Sequence, residues 1–535
     1  MSLEKRQNRT KTSSFTQTSL SMELAVFGPA VQQNGAHFLP ATPVTALPAM
    51  HNVHFTSVRL VIIALCYLVL AAPAVTSTIV LDPDIWWHLK TGEWIIQHRM
   101  VPTEDPFSTF GTGQTWIAYS WLFEVFVYLL YRAFGLNGIV ILVLGLSLCI
   151  AVTTHLMIRA FRPSLLVETV LLALVFIALI PLLTPRPWLF SILFLSVELG
   201  IIGQARRSGN IRVLWLLPPV FALWANLHIQ FVYGLAVVAL LLAEILWKAF
   251  AGSESHKKSV IAAILIAFAC VLAVAVNPYQ MKIFWPVMDY VQHTTVFHVV
   301  SEFQPLRFRS APELILLLLG FAAVYVLGWR KDWNPFAVTL LLMGMFLGFS
   351  AKRDSWVLAI TGAMVLSERL GSTARTDSFA LKAWHAFVVC PLVALPLYVL
   401  IHHRQVSERS LQDTVAKHFP VAAVRYIRTA GYGGPLFNHF NWGGFLIWSL
   451  PELRVSMDGR TNVHGDRRIE RSITTWFGQP GWDSDPELLA SKLVITGKHW
   501  ALTSLLRMDR RFDLVYEDST AAVFVPRTSM EGDDA

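Results

Sequence analysis

The sequence predicts a mostly α-helical membrane protein: a polytopic bundle at 58–401, followed by a soluble α/β domain at 402–535. Of the 535 residues, 54% are hydrophobic and only 15% are charged, whereas soluble domains carry roughly 25% charged residues. Apolar runs near helix length follow one another through the first region, and a membrane span needs about 20 such residues. In the second region, helical and strand-like patterns alternate.

Residues 1–57 are expected to form a disordered cytoplasmic tail. They are rich in Ser, Thr, Gln and Pro, a composition that cannot bury enough apolar surface to fold, and they lack the pattern of a signal peptide. The net charge of +8 is scattered between the apolar runs, so it indicates orientation in a bilayer and no nucleic-acid partner. The four cysteines fall in apolar segments, which predicts no disulfide framework.

The membrane topology follows from the positive-inside rule. If every apolar run crossed the membrane, the basic loop 205–212 would lie outside the cell, which would break that rule. The run 117–134 is the weakest, since it contains Glu124, and we predict that it lies along the interface as an amphipathic helix. The remaining runs, about eleven, then cross the membrane and the strongly basic loops become cytoplasmic. The first loop, 81–136, and the C-terminal domain become external.

A few basic residues lie on the external side in this topology. Arg186 lies in TPRPW, and Lys352 and Arg353 lie in SAKRDSW, each between two closely spaced spans. An anionic substrate at the outer leaflet would explain them, because guanidinium groups bind phosphate through two hydrogen bonds. We predict these three residues as ligands of the phosphate of such a substrate. The alternative is snorkelling to lipid headgroups, which we favour for Arg307 and Arg309.

The first external loop opens on LDPDIWWHLKTGEW, with acidic residues at the expected membrane boundary. Acids beside hydrocarbon are costly unless they have partners. Asp84 and His88 are four residues apart and would share one face of a helix, where they could bind a divalent metal such as Mg or Mn. The structural alternative is that Asp82-Pro83 starts a helix and Asp84 stabilises its N-terminus.

The pattern of this loop resembles that of the GT-C glycosyltransferases, in the variant described as RgtA/B/C/D-like in bacteria. The resemblance covers most of 58–525 and rests on LDPDIWWHLKTGEWI, VPTEDPFS, WLFEVFVYLLYRAFG, TPRPWLFSILF, WANLHIQFVYG and NPYQ. It implies a bacterial inner-membrane enzyme that transfers a sugar from a polyprenyl phosphate to an external glycan, lipid or protein acceptor of the cell envelope. By position, Asp84 matches the general base of that family and Asp82 its neighbouring carboxylate, although here Pro83 separates the two acids.

The C-terminal domain contributes the predicted acceptor side. A helix is expected at 412–430, and the strand candidates are PLFNHF, LRVSM, KLVITG, FDLVYED and AAVFVPR. FNWGGFLIWSLPELRVSMDGRTN resembles the external domain of oligosaccharyltransferase catalytic subunits but lacks the acid of their Trp-Trp-Asp-Tyr-Gly motif, so peptide recognition is not implied. We predict that Asn438, Trp442, Asp458 and Arg460 line the acceptor side. The alternative is tight turns at the glycines, a plain turn at 458–460 and Trp442 packed beneath the domain.

Two other functions remain open at this point. A lipid or glycan transporter would also use intramembrane charges, although no internal repeat supports it. An inactive structural protein is the third possibility, because the acid pair is split. Convergence of Asp84, Arg186 and Arg353 on one outward cavity would favour a transferase, whereas a transporter needs a path across the midplane.

Overall fold

The computed structural model describes residues 49–111, 113–251, 254–292, 295–329, 334–371 and 382–527. Most of the predicted tail lies outside these residues, and the first helix begins at Ala49, inside the predicted tail. The helices of the first region are α1 (Ala49–Ala71), α2 (Ile85–His98), α3 (Trp121–Phe134), α4 (Asn137–Arg159), α5 (Leu165–Leu179), α6 (Trp188–Ser208), α7 (Leu217–Leu227), α8 (Phe231–Phe250), α9 (Glu254–Val274), α10 (Trp285–Gln292), α11 (Thr295–Val299), α12 (Ala311–Trp329), α13 (Pro335–Ser350), α14 (Ser355–Leu370) and α15 (Ala386–His403).

Seven helices of the described part are long and apolar enough to cross a membrane, namely α1, α4, α5, α6, α8, α12 and α15. Three shorter apolar segments, Ile211–Leu227, Ser259–Val274 and Pro335–Ser350, accompany them. The predicted helical membrane bundle is therefore confirmed. The count of about eleven spans stays a prediction.

Helix α14 forms the centre of the bundle. It packs against α4, α5, α6, α12 and α13, and nearly all of its side chains are buried. Because neighbouring helices surround it, its N-terminus at Ser355 is held in a fixed position. Arg353 lies two residues before this terminus, next to the Asp354 N-cap, which gives the residue a rigid support.

Helix α3 packs against α2 and forms part of the same layer. It contains 14 residues, which corresponds to about 21 Å and is shorter than the ~30 Å hydrocarbon core of a bilayer. Its length therefore agrees with an interfacial position for 117–134, which stays a prediction.

The C-terminal domain contains a four-stranded sheet with helices packed around it. Its elements are α16 (Glu408–His418), α17 (Val421–Ala430), β1 (Leu436–Asn438), α18 (Phe440–Ser449), α19 (Thr461–His464), α20 (Asp466–Trp476), α21 (Pro486–Leu489), β2 (Leu493–Gly497), α22 (Ala501–Met508), β3 (Phe512–Glu517) and β4 (Ala521–Pro526). The strand order is β1-β2-β4-β3. Strands β1 and β2 are parallel, with Phe437 opposite Val494, and the other pairs are antiparallel. The predicted α/β domain is confirmed.

Two predictions for this domain were wrong in detail. The helix expected at 412–430 is two helices, because Pro420 disfavours helical backbone at Phe419, which is extended with φ −111° and ψ 155°. The LRVSM stretch does not join the sheet. Instead, Val455 exchanges backbone hydrogen bonds with the first loop: its carbonyl accepts from the Thr109 N–H at 2.8 Å and its N–H donates to Phe107 at 3.2 Å.

The first loop, the start of α4 and the C-terminal domain are packed together. Helix α16 lies against the short helix Ser77–Leu81. The backbone N–H and the side-chain amide of Asn137 donate to Glu408 Oε2 at 3.2 and 3.1 Å. Gly444 of α18 approaches the Pro83 carbonyl so closely that a Cβ atom would lie 2.5 Å from it. The domain is thus held directly above the predicted acidic residues.

Candidate functional site

Asp82 and Asp84 converge on one guanidinium. Arg186 Nε donates to Asp82 Oδ2 at 2.7 Å, and Arg186 Nη1 pairs with Asp84 Oδ2. Arg186 lies just before α6, and Asp84 just before α2. The Asp84 side chain makes no capping bond to its helix, whereas Asp82 Oδ1 accepts from the Asp84 N–H at 3.0 Å. Asp84 thus occupies the N-cap position of α2 without a side-chain capping bond, and its carboxylate faces Arg186.

A second arginine lies opposite the first, with Glu302 between them. One carboxylate oxygen of Glu302 is 4.0 Å from Arg186 Nη2, and the other is 4.0 Å from Arg353 Nη1. Arg186 directly precedes the Pro187 N-cap of α6, and Arg353 precedes the Asp354 N-cap of α14. Helix N-termini carry partial positive charge, which adds to the positive charge of the two arginines on either side of Glu302.

The guanidinium of Arg353 has unused hydrogen-bonding capacity. Its side chain is only 13% exposed, and its Nε has no hydrogen-bond partner among the described residues. The neighbouring Asp354 lies 3.8 Å away and instead accepts from Gln230 at 2.5 Å and Tyr233 at 3.0 Å. The ring of Phe303 lies 4.3 Å from the guanidinium carbon. Arg353 Nε is therefore a donor that a further acceptor could use.

Two cavities meet at these arginines. The Asp84 cavity, of about 320 Å³, lies between the first loop, the ends of the helices and the C-terminal domain. The Lys352 cavity, of about 300 Å³, combines Lys352 with apolar residues of α12 and the segment that follows α5, such as Leu316 and Leu182. Both cavities are lined by Arg186, Trp188, Ser301, Glu302 and Arg353. Asp84, Arg186 and Arg353 therefore converge on one cavity, which is the arrangement that a transferase requires.

The surroundings of Asp84 change its ionisation. Burial raises the pKa of Asp84 to about 6, the positive charge of Arg186 opposes the rise, and Asp82 and Glu302 add to it. A carboxyl group with a pKa near the working pH suits general-base catalysis, because it is ionised and still accepts a proton readily.

Glu124 and His88 form the inner end of the Asp84 cavity. Burial raises the pKa of Glu124 to about 8, and burial together with Arg186 holds the pKa of His88 well below its usual range. Glu124 Oε1 lies 3.3 Å from His88 Nδ1 and accepts from the Ser120 hydroxyl at 3.1 Å. Burial therefore disfavours the charged form of both groups, and both can act as hydrogen-bonding partners.

Gly459 of the C-terminal domain lies in direct contact with Asp84. A Cβ atom on Gly459 would collide with the Asp84 carboxylate. Arg460 lines the Asp84 cavity, but its charge is neutralised, since it pairs with Asp458 at 2.7 Å and with Asp105 at 2.8 Å. Arg460 holds the pKa of Asp458 well below its usual range. This buried cluster fastens the domain to the first loop and fixes Gly459 against Asp84.

Three predicted acceptor-side residues, Asn438, Trp442 and Asp458, are not among those that line the Asp84 cavity. The amide of Asn438 donates to the Met457 carbonyl at 2.8 Å and accepts from the Ser456 N–H at 2.9 Å, so it shapes the turn that precedes Gly459. Trp442 is buried against Trp500, with ring centroids 4.7 Å apart, which matches the packing alternative. Asp458 pairs with Arg460 beneath the cavity wall.

A divalent metal fits these residues poorly. The carboxylates of Asp82 and Asp84 both pair with Arg186, and His88 Nδ1 faces Glu124. Among the described residues, no group of three or more His, Cys, Asp or Glu side chains could hold a metal ion. The Asp84–His88 metal site stays a prediction, and no catalytic step below depends on it.

Several residues of the site have no sequence signal that reveals them. Glu302 and His228 are single polar residues in loops, and only the packing of the bundle brings them to Arg353 and the Asp84 cavity. Glu124 marks a weak span in the sequence, but its buried position beside His88 depends on the contact between α2 and α3.

Comparison with known proteins relates the fold to membrane transferases. No protein-family model matches the chain, and no curated protein matches its sequence. The apo crystal structure of the Archaeoglobus fulgidus oligosaccharyltransferase matches with a TM-score of 0.50 and 12% identity, over 84% of this chain and 70% of that one. Oligosaccharyltransferase AglB from the same organism, in complex with an inhibitory peptide and dolichol phosphate, matches with a TM-score of 0.52, the same identity and the same coverage. A weaker likeness, with a TM-score of 0.44 and 12% identity over 91% of this chain and 100% of the other, is to ArnT from Cupriavidus metallidurans bound to undecaprenyl phosphate.

The predicted GT-C fold is thereby confirmed. The chain is a helical membrane protein with the fold of an archaeal oligosaccharyltransferase, and its acidic and basic residues meet where the bundle joins the C-terminal domain.

Proposed function

We propose that the protein is a membrane glycosyltransferase that moves a sugar from a polyprenyl-phosphate donor to an acceptor hydroxyl outside the bacterial inner membrane. The observation that carries the proposal is Arg353, a cation that is 13% exposed and makes no hydrogen bond from Nε among the described residues. It lies where the Lys352 cavity, whose far wall includes apolar residues of α12, meets the cavity of Asp84. A phosphate that bears an apolar tail on one side and a sugar on the other fits this junction.

The donor phosphate lies between Arg353 and Arg186 in this proposal. Arg353 supplies free donors, and the N-termini of α6 and α14 add positive potential. Within the described chain, the Lys352 ammonium makes no ion pair and lines the Lys352 cavity, so it is a third phosphate ligand. The Glu302 carboxylate occupies the space between the arginines, with one oxygen 4.0 Å from Arg186 and the other 4.0 Å from Arg353. The donor phosphate would replace this carboxylate. The isoprenoid tail would lie along the apolar residues near α5 and α12.

The reaction is a displacement at the anomeric carbon. The acceptor oxygen forms a bond to this carbon while the bond from the carbon to the phosphate oxygen breaks. Asp84 takes the hydroxyl proton, which requires its ionised form. The electron pair leaves with the phosphate, and the two arginines stabilise the charge that develops there. Polyprenyl phosphate and the glycosylated acceptor are the products.

The acceptor approaches from the C-terminal domain, past Gly459, Asn462 and Asn441, which line the same cavity. Its class is a glycan, lipid or protein of the cell envelope. The archaeal structure in complex with dolichol phosphate and a peptide supports a lipid-linked donor for this fold. Membrane lipids surround the bundle, the N-terminus is cytoplasmic and the C-terminal domain is periplasmic in this proposal.

The test is transfer by the full-length protein reconstituted in liposomes. A panel of radiolabelled polyprenyl-phosphate sugars is supplied with total envelope extract as the acceptor source. Radiolabel should move from at least one donor to an acceptor, and Arg353→Gln should weaken donor binding by about 10- to 100-fold, because each charge-assisted hydrogen bond contributes about 1.5–3 kcal/mol. Uptake of intact donor lipid across the bilayer without transfer would support a transporter and contradict the proposal.

The matched control is Arg309→Gln. Arg309 is an exposed external arginine whose backbone N–H, and not its guanidinium, contacts Glu313. This variant should bind donor as the wild type does. Equal losses of donor affinity in both variants would show that any external arginine contributes to donor binding, which would contradict a specific role for Arg353.

A further inference from the structure

The inner end of the Asp84 cavity contains polar groups that the transfer step does not use. They are Ser120, Glu124 and His228. Three tryptophans, Trp87, Trp116 and Trp188, line the same cavity. Flat aromatic faces alongside neutral hydrogen-bonding groups form a surface suited to a ring that carries hydroxyl groups on its edge and apolar C–H groups on its faces.

His228 is oriented by a chain of hydrogen bonds. Trp224 Nε1 donates to Ser191 Oγ at 2.9 Å, and Ser191 Oγ lies 2.8 Å from His228 Nδ1. The indole N–H can only donate, so Ser191 Oγ accepts from Trp224 and shares a second hydrogen bond with His228 Nδ1, whose direction depends on the tautomer of His228. Nε2, the other ring nitrogen, has no hydrogen-bond partner in the described part of the chain.

Glu124 has a free oxygen as well. Its Oε1 contacts Ser120 and His88, but Oε2 is buried with no hydrogen-bond partner among the described residues. The side chain is fully buried and lines the cavity. Two polar side chains, His228 and Glu124, are each more than nine-tenths buried and line the same cavity. The unpaired Glu124 oxygen is costly to bury without a partner.

From these observations we infer that Ser120, Glu124 and His228 form a subsite for the transferred sugar ring. The inference rests on the proposed function and adds to it the residues that recognise the sugar. The subsite lies in the same cavity as Arg353 and Asp84, so a sugar held there has its phosphate at the arginines. The cavity of about 320 Å³ is near the lower end of the ~300–1,000 Å³ range of small-molecule sites, which fits a single sugar and not a longer glycan.

The test compares two kinds of probe on the same protein: the lipid phosphate alone and the lipid phosphate with one sugar attached. Undecaprenyl phosphate binds without a sugar, whereas undecaprenyl-phosphate glucose, galactose and mannose each add one ring. With the full-length protein in nanodiscs, at least one of the three should bind about tenfold more tightly than the bare lipid phosphate, because two or three hydrogen bonds add to the same phosphate contacts. The ratio of the two affinities is the readout.

His228→Phe keeps the ring and removes the donor, and Ser120→Ala is a small change that folding should tolerate. Both variants should bring the ratio down several-fold while the affinity for bare undecaprenyl phosphate stays unchanged. Lys352→Gln is the control: it should weaken both probes equally and leave the ratio as in the wild type. Separate use of two variants keeps the test valid if one of them fails to fold.

The outcomes separate the two proposals. A wild-type ratio near one for all three sugars, or an unchanged ratio in both subsite variants, overturns the sugar subsite while the lipid-phosphate site stands. Absence of binding to bare undecaprenyl phosphate overturns the proposed function and the subsite together.

Discussion

Arg186 pairs with Asp84 in a buried ion pair at the junction of the two cavities. The pair joins the predicted general base directly to a predicted ligand of the leaving phosphate. The same guanidinium also binds Asp82 through Nε, so its two N–H groups hold both carboxylates in position. The position of the base and the position of the phosphate therefore depend on one side chain.

Arg186→Lys tests this coupling. Lysine keeps the positive charge but cannot reach two carboxylates with parallel N–H groups. We expect donor affinity to fall about 10- to 100-fold through the loss of charge-assisted hydrogen bonds. The measurement is equilibrium binding of a polyprenyl-phosphate sugar in nanodiscs. Arg307→Lys is the control, since the exposed guanidinium of Arg307 bonds only to Gln304 at 3.0 Å in the described chain. Normal binding by Arg186→Lys would mean that Arg186 is not a phosphate ligand.

The pH dependence of transfer should report Asp84. Its pKa is raised by burial to about 6, above the usual ~3.9 of aspartate. The base works only when it is ionised, so kcat/KM should be constant above this pKa and fall about tenfold per pH unit below it. A profile from pH 4.5 to 8 measures this directly. A constant kcat/KM down to pH 5 would be incompatible with a base of this pKa.

Gly459→Ala should disturb the base from the side of the C-terminal domain. The added Cβ atom meets the Asp84 carboxylate, so the carboxylate must shift. Displacement of a catalytic group by about 1 Å can cost 100-fold in rate, and the transfer rate should fall by that order while the melting temperature changes little. Gly433→Ala is the matched control, because a Cβ atom there has no neighbour within 4 Å. Equal rates for the two variants would contradict the close approach of Gly459.

The interfacial position of α3 is testable by cysteine labelling. The four native cysteines are first replaced. Gln114→Cys then introduces a cysteine before α3 and Phe134→Cys introduces one at its end, both at exposed positions. Both should react with a membrane-impermeant maleimide from outside. Ser208→Cys, at the end of α6, should react only after permeabilisation. Labelling of Phe134→Cys only from the cytoplasmic side would show that α3 crosses the membrane.

Local signals in the sequence were enough to locate the charged centre. Arg186, Lys352 and Arg353 violate the expected charge distribution of a membrane protein, and such a violation is visible without any structure. Asp82 and Asp84 are conspicuous because acids are costly at a hydrocarbon boundary. The order of helices and the start of the C-terminal domain follow from hydropathy in the same way.

Contacts between distant segments could not be predicted. Val455 lies in a strand-like stretch, yet it bonds to the first loop, because β-pairing depends on which edge is within reach. Asn438 was predicted to line the acceptor side, but its amide bonds to the backbone of Ser456 and Met457. Glu302 and His228 acquire their roles only when the bundle closes. Length, charge and periodicity report local structure, whereas these residues depend on long-range packing.

The most direct test of the account is the transfer rate of Asp84→Asn. Asparagine is nearly isosteric but cannot accept the proton, and a positioned general base contributes roughly 10²–10⁴-fold. Donor affinity and melting temperature should stay close to those of the wild type, while the rate falls by that factor. Asp413→Asn, at an exposed position of α16, should transfer normally. A rate for Asp84→Asn within about threefold of the wild type, well short of a general-base effect, would contradict the assignment of Asp84 as the base.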